Sequence, residues 1–199
     1  MKLSHKLAAI AAAITMAGTF SLAMPAVTEA HAAAATPVNI ISVGDAGQLA
    51  KYGKGKKSEN YQMSFSGVLK TKVDAPVFNI TDSITPTNQV AQKGGNFEIS
   101  GIFNFKGMDF YRVGDNQFLP GKMVTLVKRG VAHVNYNKHY GIQIWTALHN
   151  PVLNKNGSAK KLKGQTNWNV YGAADIGGKL FYNLGGDQFI SGDYVTFKK

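Results

Sequence analysis

Side chains that ordinarily carry catalysis are thinly spread through this chain, whereas those that grip an anionic polymer are dense. Beyond the N-terminal leader the histidines are His133, His139 and His149. No acidic residue adjoins them in sequence to orient an imidazole or to complete a metal shell. His133 and His139 flank an expected turn and could approach each other, in a structural or phosphate-contacting role. Most aspartates sit beside Gly, Asn or Ser, where a short carboxylate serves a turn by accepting backbone N–H groups. Glu98 is the one acid in an expected strand, so a carboxylate pair for glycoside hydrolysis is not the leading reading. The chain has no cysteine, which excludes thiol nucleophiles and thiolate metal sites. A Gly-rich phosphate loop, a nucleophile elbow and a His-Glu zinc pattern are all missing from the sequence. The expectation is a protein that is not an enzyme, with no catalytic residue, no metal and no cofactor.

Lysine and aromatic residues remain. Cations cluster at Lys128 and Arg129, at Lys138 and His139, and at Lys155, Lys160, Lys161 and Lys163. Tyr136, Tyr140, Trp145, Tyr171 and Tyr182 are interleaved with them, and Tyr111 belongs with Tyr182 by its position in the repeat described next. A cation meets phosphate through charge-assisted hydrogen bonds, and an aromatic ring packs on a sugar or polyol face. Tyr111 and Tyr182 each follow a core Phe, so strand alternation points them outward. Trp145 and Trp168 also fit inward strand positions, which leaves a core role open for both.

These residues hang on a sequence that states one pattern twice. Phe110 to Leu126 reads FYRVGDNQFLPGKMVTL and Phe181 to Phe197 reads FYNLGGDQFISGDYVTF, at a constant offset of 71. Phe, Tyr, Gly, Gln, Val and Thr recur at matched places, and the other apolar positions exchange one apolar residue for another. A repeated glycine-punctuated unit signals a duplicated module, a common way to strengthen a weak binder. Apolar residues alternate with period two, as in Phe97, Ile99, Phe103 and Phe105, and turn signals separate the runs. The expected fold is all-β: two tandem small barrel- or sandwich-like repeats, an SH3-like barrel among the candidates, joined by a β-hairpin bridge. The expected boundaries are a leader at 1–32, a basic flexible segment at 33–67, a first repeat at 68–127, a connecting hairpin at 128–144 and a second repeat at 145–199. Pro76-Val77-Phe78-Asn79 aligns with Pro151-Val152-Leu153-Asn154, which makes residues 80–93 an expanded loop of the first repeat. Phe105, Phe110, Val113, Phe118 and Val124 form one expected core, and Ile176, Phe181, Leu184, Phe189 and Val195 the other.

Lys2, His5 and Lys6, the apolar run Leu7 to Ala23 and the small-x-small site Ala30-His31-Ala32 read as a secretory signal peptide. Removing it leaves a formal charge of +10 from the +11 of the whole chain. Such a charge calls for a polyanionic partner. Outside the cell that means teichoic acid, an anionic membrane face or an acidic polysaccharide. No nucleic acid is expected as partner, and no membrane insertion after the leader is removed.

The motif Trp168-Asn169-Val170-Tyr171-Gly172 followed by Gly178-Lys179-x-Phe181-Tyr182-Asn183-Leu184-Gly185-Gly186-Asp187-Gln188-Phe189-Ile190 resembles the SLAP module, the C-terminal surface-layer domain of lactobacilli. His149 to Gly157 resembles its opening phrase, and Tyr140 to Trp145 a phrase at the joint between two such modules. The resemblance spans about residues 68–199. It implies non-covalent attachment to the Gram-positive wall through teichoic or lipoteichoic acid, in a secreted, cell-surface protein associated with a surface layer. The lattice protein is a second implied partner. The first repeat departs from the pattern: Ser100 stands where Tyr171 does, and Arg112-Val113 where Asn183-Leu184 do. Two rival readings use the same residues: an adhesion protein of the lattice or the host, and a small wall hydrolase or its targeting part.

Overall fold

The computed structural model describes residues 60–199, apart from 82 and 106, together with the backbone of the short strand Thr36–Pro37. The leader and most of the basic 33–67 segment, with the strand expected at Val38 to Val43, lie outside the described residues. Strands in chain order are β1 Thr36–Pro37, β2 Tyr61–Thr71, β3 Ala75–Ile80, β4 Ile84–Ala91, β5 Asn96–Phe105, β6 Met108–Gly114, β7 Gln117–Pro120, β8 Val124–Leu126, β9 Gly130–Val134, β10 Gly141–Gln143, β11 Lys161–Lys163, β12 Asn167–Val170, β13 Gly172–Asp175, β14 Leu180–Asn183, β15 Phe189–Ser191 and β16 Val195–Lys198. Every recorded pairing is antiparallel. The all-β expectation holds, in open sheets rather than closed barrels: one of eleven strands, one of three and one of two.

Several strand pairings recur at the 71-residue offset. Ile102 opposes Tyr111 as Ala173 opposes Tyr182, and Arg112 opposes Phe118 as Asn183 opposes Phe189. A single 3-10 turn follows in each, at Gly121–Met123 and Gly192–Tyr194. Gly107 and Gly178 hold the same left-handed turn position, with φ of 79° and 78°.

Upstream, the pairing extends the correspondence where sequence identity fades. Leu69 of β2 opposes Phe97 and Leu126, while Ala132 of β9 opposes Trp168 and Phe197. Thus β9 is the counterpart of the C-terminal half of β2, at an offset of 63. The connecting hairpin expected at 128–144 is therefore corrected: β9 pairs with β12 and β16, β10 pairs with β11, and the two do not pair with each other. Alternation predicted the strands but could not choose their partners, since a strand carries the same pattern whichever neighbour it takes. Phe78 opposes Phe118 as Trp145 opposes Phe189. Asn116 accepts the Ile80 N–H just as Asp187 accepts the Ala147 N–H. These matches run at an offset of 67. The alignment of Pro76 with Pro151 is accordingly wrong, and the expanded loop belongs to the second unit: Ala147 to Gln165 is four residues longer than Ile80 to Gly94. Two four-residue expansions in the second unit carry the offset from 63 through 67 to 71.

β2 ties the units together. β5 runs along one edge of it, while β1, β13 and β8 follow one another along the other. Its first half, Tyr61 to Gly67, falls within the basic segment expected at 33–67 and is a strand. Tyr61, Met63 and Phe65 alternate inward there and share one buried cluster with Leu119 and Val124 of the first unit and Ile176, Phe181 and Phe189 of the second. The expected division into one core per unit is corrected by this shared cluster. Phe78, Phe103, Phe105 and Phe110 form a separate cluster, and Ala132, Val134, Ile142, Leu162, Val170 and Ile190 a third. A unit of about 60 residues alone buries too little surface for ample stability, and the shared strand supplies the additional burial.

Candidate functional site

The loop 135–140, between β9 and β10, is the first of the two expansions of the second unit. It folds onto the turn that follows β11. The Gly164 N–H donates to the Tyr140 carbonyl at 2.9 Å, and the Gln165 side-chain amide donates to the Tyr136 carbonyl at 3.0 Å. Gly164 is required by this contact, because a Cβ there would run into the carbonyl oxygens of Tyr136 and Asn137. Within the loop, the Asn137 side chain accepts the His139 N–H and its carbonyl accepts the Tyr140 N–H. This asparagine turn lifts Lys138, His139 and Tyr140 into solvent. Tyr140 is 66% exposed.

Two aromatic side chains meet at the same end. Tyr136 packs edge-on against Tyr194 of the second 3-10 turn, with centroids 5.7 Å apart, and both residues keep a little under half of their surface exposed. The Asn135 N–H donates to the Tyr194 carbonyl, which fixes the approach. Trp168 donates its indole N–H to the Thr166 hydroxyl at 2.7 Å, and that hydroxyl donates to the Lys163 carbonyl. Trp168 takes the inward register expected of it, beside Ala132, yet is 39% exposed because it stands at the sheet rim. On β11, Leu162 is buried between exposed Lys161 and Lys163, so the two ammonium groups share the solvent face. Tyr136, Tyr140, Trp168 and Tyr194, together with Lys138, His139, Lys161 and Lys163, are thus all exposed on the second unit. Tyr194 was missed in the sequence because it pairs with Met123 of the first unit and read as apolar filling.

The remaining sequence-selected residues lie elsewhere. Lys128 and Arg129 precede β9, where the Arg129 N–H donates to Val170 and Val131 opposes Lys198. That is the opposite end of a five-residue strand, roughly 15 Å away at strand rise. Lys155 sits on the exposed turn closed by Asn154 and Ser158. Lys160 donates its Nζ to Gln188 at 2.8 Å. The eight cationic positions therefore do not converge on one groove.

Among the aromatics, Tyr111 is corrected outright: it is 7% exposed and part of the shared cluster. Phe110 before it is buried in a different cluster, so both faces of β6 are covered and alternation there does not separate core from solvent. Tyr182 is half-buried and stacks on Phe197 at 5.2 Å. Trp145 packs against the shared cluster and against His149, at 4.5 Å between ring centroids. Tyr171 is half-buried, with its ring near Gly185.

Titratable groups gather instead where the units join. Burial pushes the Asp109 carboxyl above its ordinary range, the Asn104 amide bonded at 2.7 Å lowers it, and the charge of Asp187 raises it further. Asp187 as a whole residue is exposed, but its carboxyl leans inward to the Ala147 N–H. Burial raises its pKa and that bond opposes the rise. Burial, chiefly, also pushes the hydroxyls of Tyr61 and Tyr111 upward. His133 shares a 2.8 Å hydrogen bond with Asn167, and His149 lies between Trp145 and Phe181. Among the described residues, no group of three His, Cys, Asp or Glu is placed to hold a metal ion, and no helix is long and apolar enough to cross a membrane.

Residues 152–192 match the family model described as the surface layer protein A domain. No curated protein matches the chain. Among solved structures, the endolysin LysPBC5 CBD is similar at 15% identity, over 67% of this chain and 94% of that one, with a TM-score of 0.39. A putative autolysin from Listeria monocytogenes is similar at 12% identity, over 71% of this chain and 65% of that one, with a TM-score of 0.25.

Proposed function

We propose that the protein binds the cell wall non-covalently by holding an anionic wall polymer of the teichoic or lipoteichoic type, at the bacterial surface and within or beside a surface layer. The observation that carries this reading is the solvent-facing set of four aromatic rings and four basic side chains on the second unit. Ammonium groups meet phosphates along the polymer, and tyrosine and tryptophan faces cover its polyol or sugar portions. The surface layer protein A match falls on this unit and includes Lys155, Lys160, Lys161, Lys163 and Trp168. The net charge of the mature chain, +10 after Lys2, Lys6 and Glu29 are removed from the +11 of the whole, supplies long-range attraction to such a polymer.

The two units are read as two copies of one module, because their strand registers agree across three offsets. The leader places the mature chain outside the cell, and binding rather than catalysis is its role. The test is co-sedimentation with purified walls across a salt series, with teichoic-acid-stripped walls as control. Binding should fall steeply with salt, as expected when phosphate neutralisation releases counterions. Equal binding to stripped walls ends this reading.

A further inference from the structure

We propose that the first unit carries a separate binding site, a groove across β2, β5 and β6 that takes one phosphodiester-linked polyol unit. Strand register sets its composition. Ser64 opposes Gly101, Gly101 opposes Arg112, and Arg112 opposes Phe118. Gln62 opposes Phe103 in the adjoining row. Opposed residues on neighbouring strands face the same side of a sheet. A hydroxyl, an amide, a guanidinium and two phenyl rings thus line one cavity of about 250 Å3, to which Ser100 also contributes. Gly101 keeps the floor low. The aliphatic stem of Arg112 lies over it, at 3.6 to 3.8 Å from where a Cβ would stand.

The second unit shows that this opening is particular to the first. Its matching row is Gly67, Gly172, Asn183 and Phe189. There the ring of Phe65 sits against Gly172, and Asn183 is fully buried, bonded to the carbonyls of Gly186 and Gln188. The two departures of the first repeat from the second, Ser100 for Tyr171 and Arg112 for Asn183, are the ones that leave a polar opening at this place.

The ligand class follows from the lining. A guanidinium fork matches two oxygens of one phosphate. Among the described residues no carboxylate pairs with Arg112, and no second cation lines the groove. One positive charge balances a phosphodiester, with its single negative charge, better than a dianionic monoester. Gln62, Ser64 and Ser100 supply donors and acceptors for polyol hydroxyls, while half-buried Phe118, backed edge to face at 6.4 Å by the buried Phe103, covers a carbon–hydrogen face. The volume falls below the roughly 300–1,000 Å3 of drug-sized pockets, which suits a single unit. This groove lies on a different sheet from the aromatic surface of the second unit, and it stands or falls separately from the wall-binding reading.

The experiment is an amide chemical-shift titration of the mature chain with glycerophosphoglycerol, with glycerol and glycerol 3-phosphate as comparisons. The diester should give saturable shifts at Gly101, Arg112 and Phe118, and glycerol should not. Arg112→Gln should weaken the diester about tenfold or more, since it removes the charge-assisted hydrogen bonds to the phosphate. Ser64→Tyr, which fills the groove from an exposed position, should do the same while the rest of the spectrum is unchanged. Sedimentation of wild type and Arg112→Gln with phosphatidylglycerol vesicles and with poly(glycerol phosphate) separates a lipid headgroup from a polymer as the natural source. An Arg112-dependent response to either supports the groove. The proposal is overturned if Arg112→Gln binds the diester as wild type does, if glycerol reproduces the shifts, or if shifts appear only around Lys161 and Lys163.

Discussion

At Gly101 and Gly172 the same backbone position meets different neighbours. In the first unit a Cβ added at Gly101 would meet the Met63 carbonyl at 3.1 Å and then the stem of Arg112. In the second, a Cβ at Gly172 would run into the Phe65 ring and meet the Ser66 carbonyl at 2.6 Å. Register and turns agree between the units, yet one position is open and polar while the other is plugged by a ring from the shared strand. A duplicated backbone does not duplicate a surface, because each side chain of the central strand can pack against one unit only. Phe65 serves the second unit, packing edge-on against Phe189 at 6.5 Å, and the first unit is left with a groove.

The largest test of this asymmetry is removal of the plug. Phe65→Ala should cost about 3–5 kcal/mol, the usual range for a buried phenyl, read by denaturant unfolding. If the shared cluster makes the units one cooperative body, a single transition should shift as a whole. Two separate transitions in wild type would break the account. Next, Gly172→Ala should destabilise by about 3 kcal/mol, near the upper end of overpacking costs, whereas Gly101→Ala should cost about 1 kcal/mol. Equal effects would show that the two positions are alike after all.

A third test uses acid. In the folded protein Asp109 and Asp187 hold their protons to a higher pH than they do unfolded. Between the ordinary carboxylate range and those raised values the native state binds more protons, so stability falls as pH rises through that window. Asp109→Asn retains an acceptor for Asn104, and its unfolding midpoint against pH should be flatter and no lower at neutral pH. A loss at neutral pH would mean that the carboxylate is stabilising.

A fourth test concerns the basic surface of the second unit. Lys161→Ala with Lys163→Ala should lower the slope of log affinity against log salt by about two on purified walls and leave stability nearly unchanged. The smallest effect belongs to Lys179 and Asp193, paired at 3.2 Å with both side chains more than half exposed. Lys179→Ala should change stability by a few tenths of a kcal/mol at most, measured by thermal unfolding.

Much of the strand content was legible, because period-two alternation and glycine turns are local signals. The 71-residue repeat was legible from Phe110 to Leu126, where identity is dense. The role of β9 was not, because Gly67 to Thr71 and Gly130 to Val134 share only their first two residues, at an offset that two loop expansions hide. Lys161 and Lys163 were selected by charge, and Tyr136 and Tyr140 by their place among cations, and all four are exposed. Tyr111 misled because an outward register means exposure only where nothing covers that face.

The sequence alone determined an all-β chain of strongly positive charge built on a repeated phrase, since charge, composition and strand periodicity are additive or local. Which strand the two units share, which loop bends beside which cations, and which glycine is covered by a ring are decided by pairing between residues far apart in the chain. Alternation constrains what faces inward but is indifferent to the neighbour, and the neighbour is what makes one unit's groove open and the other's closed.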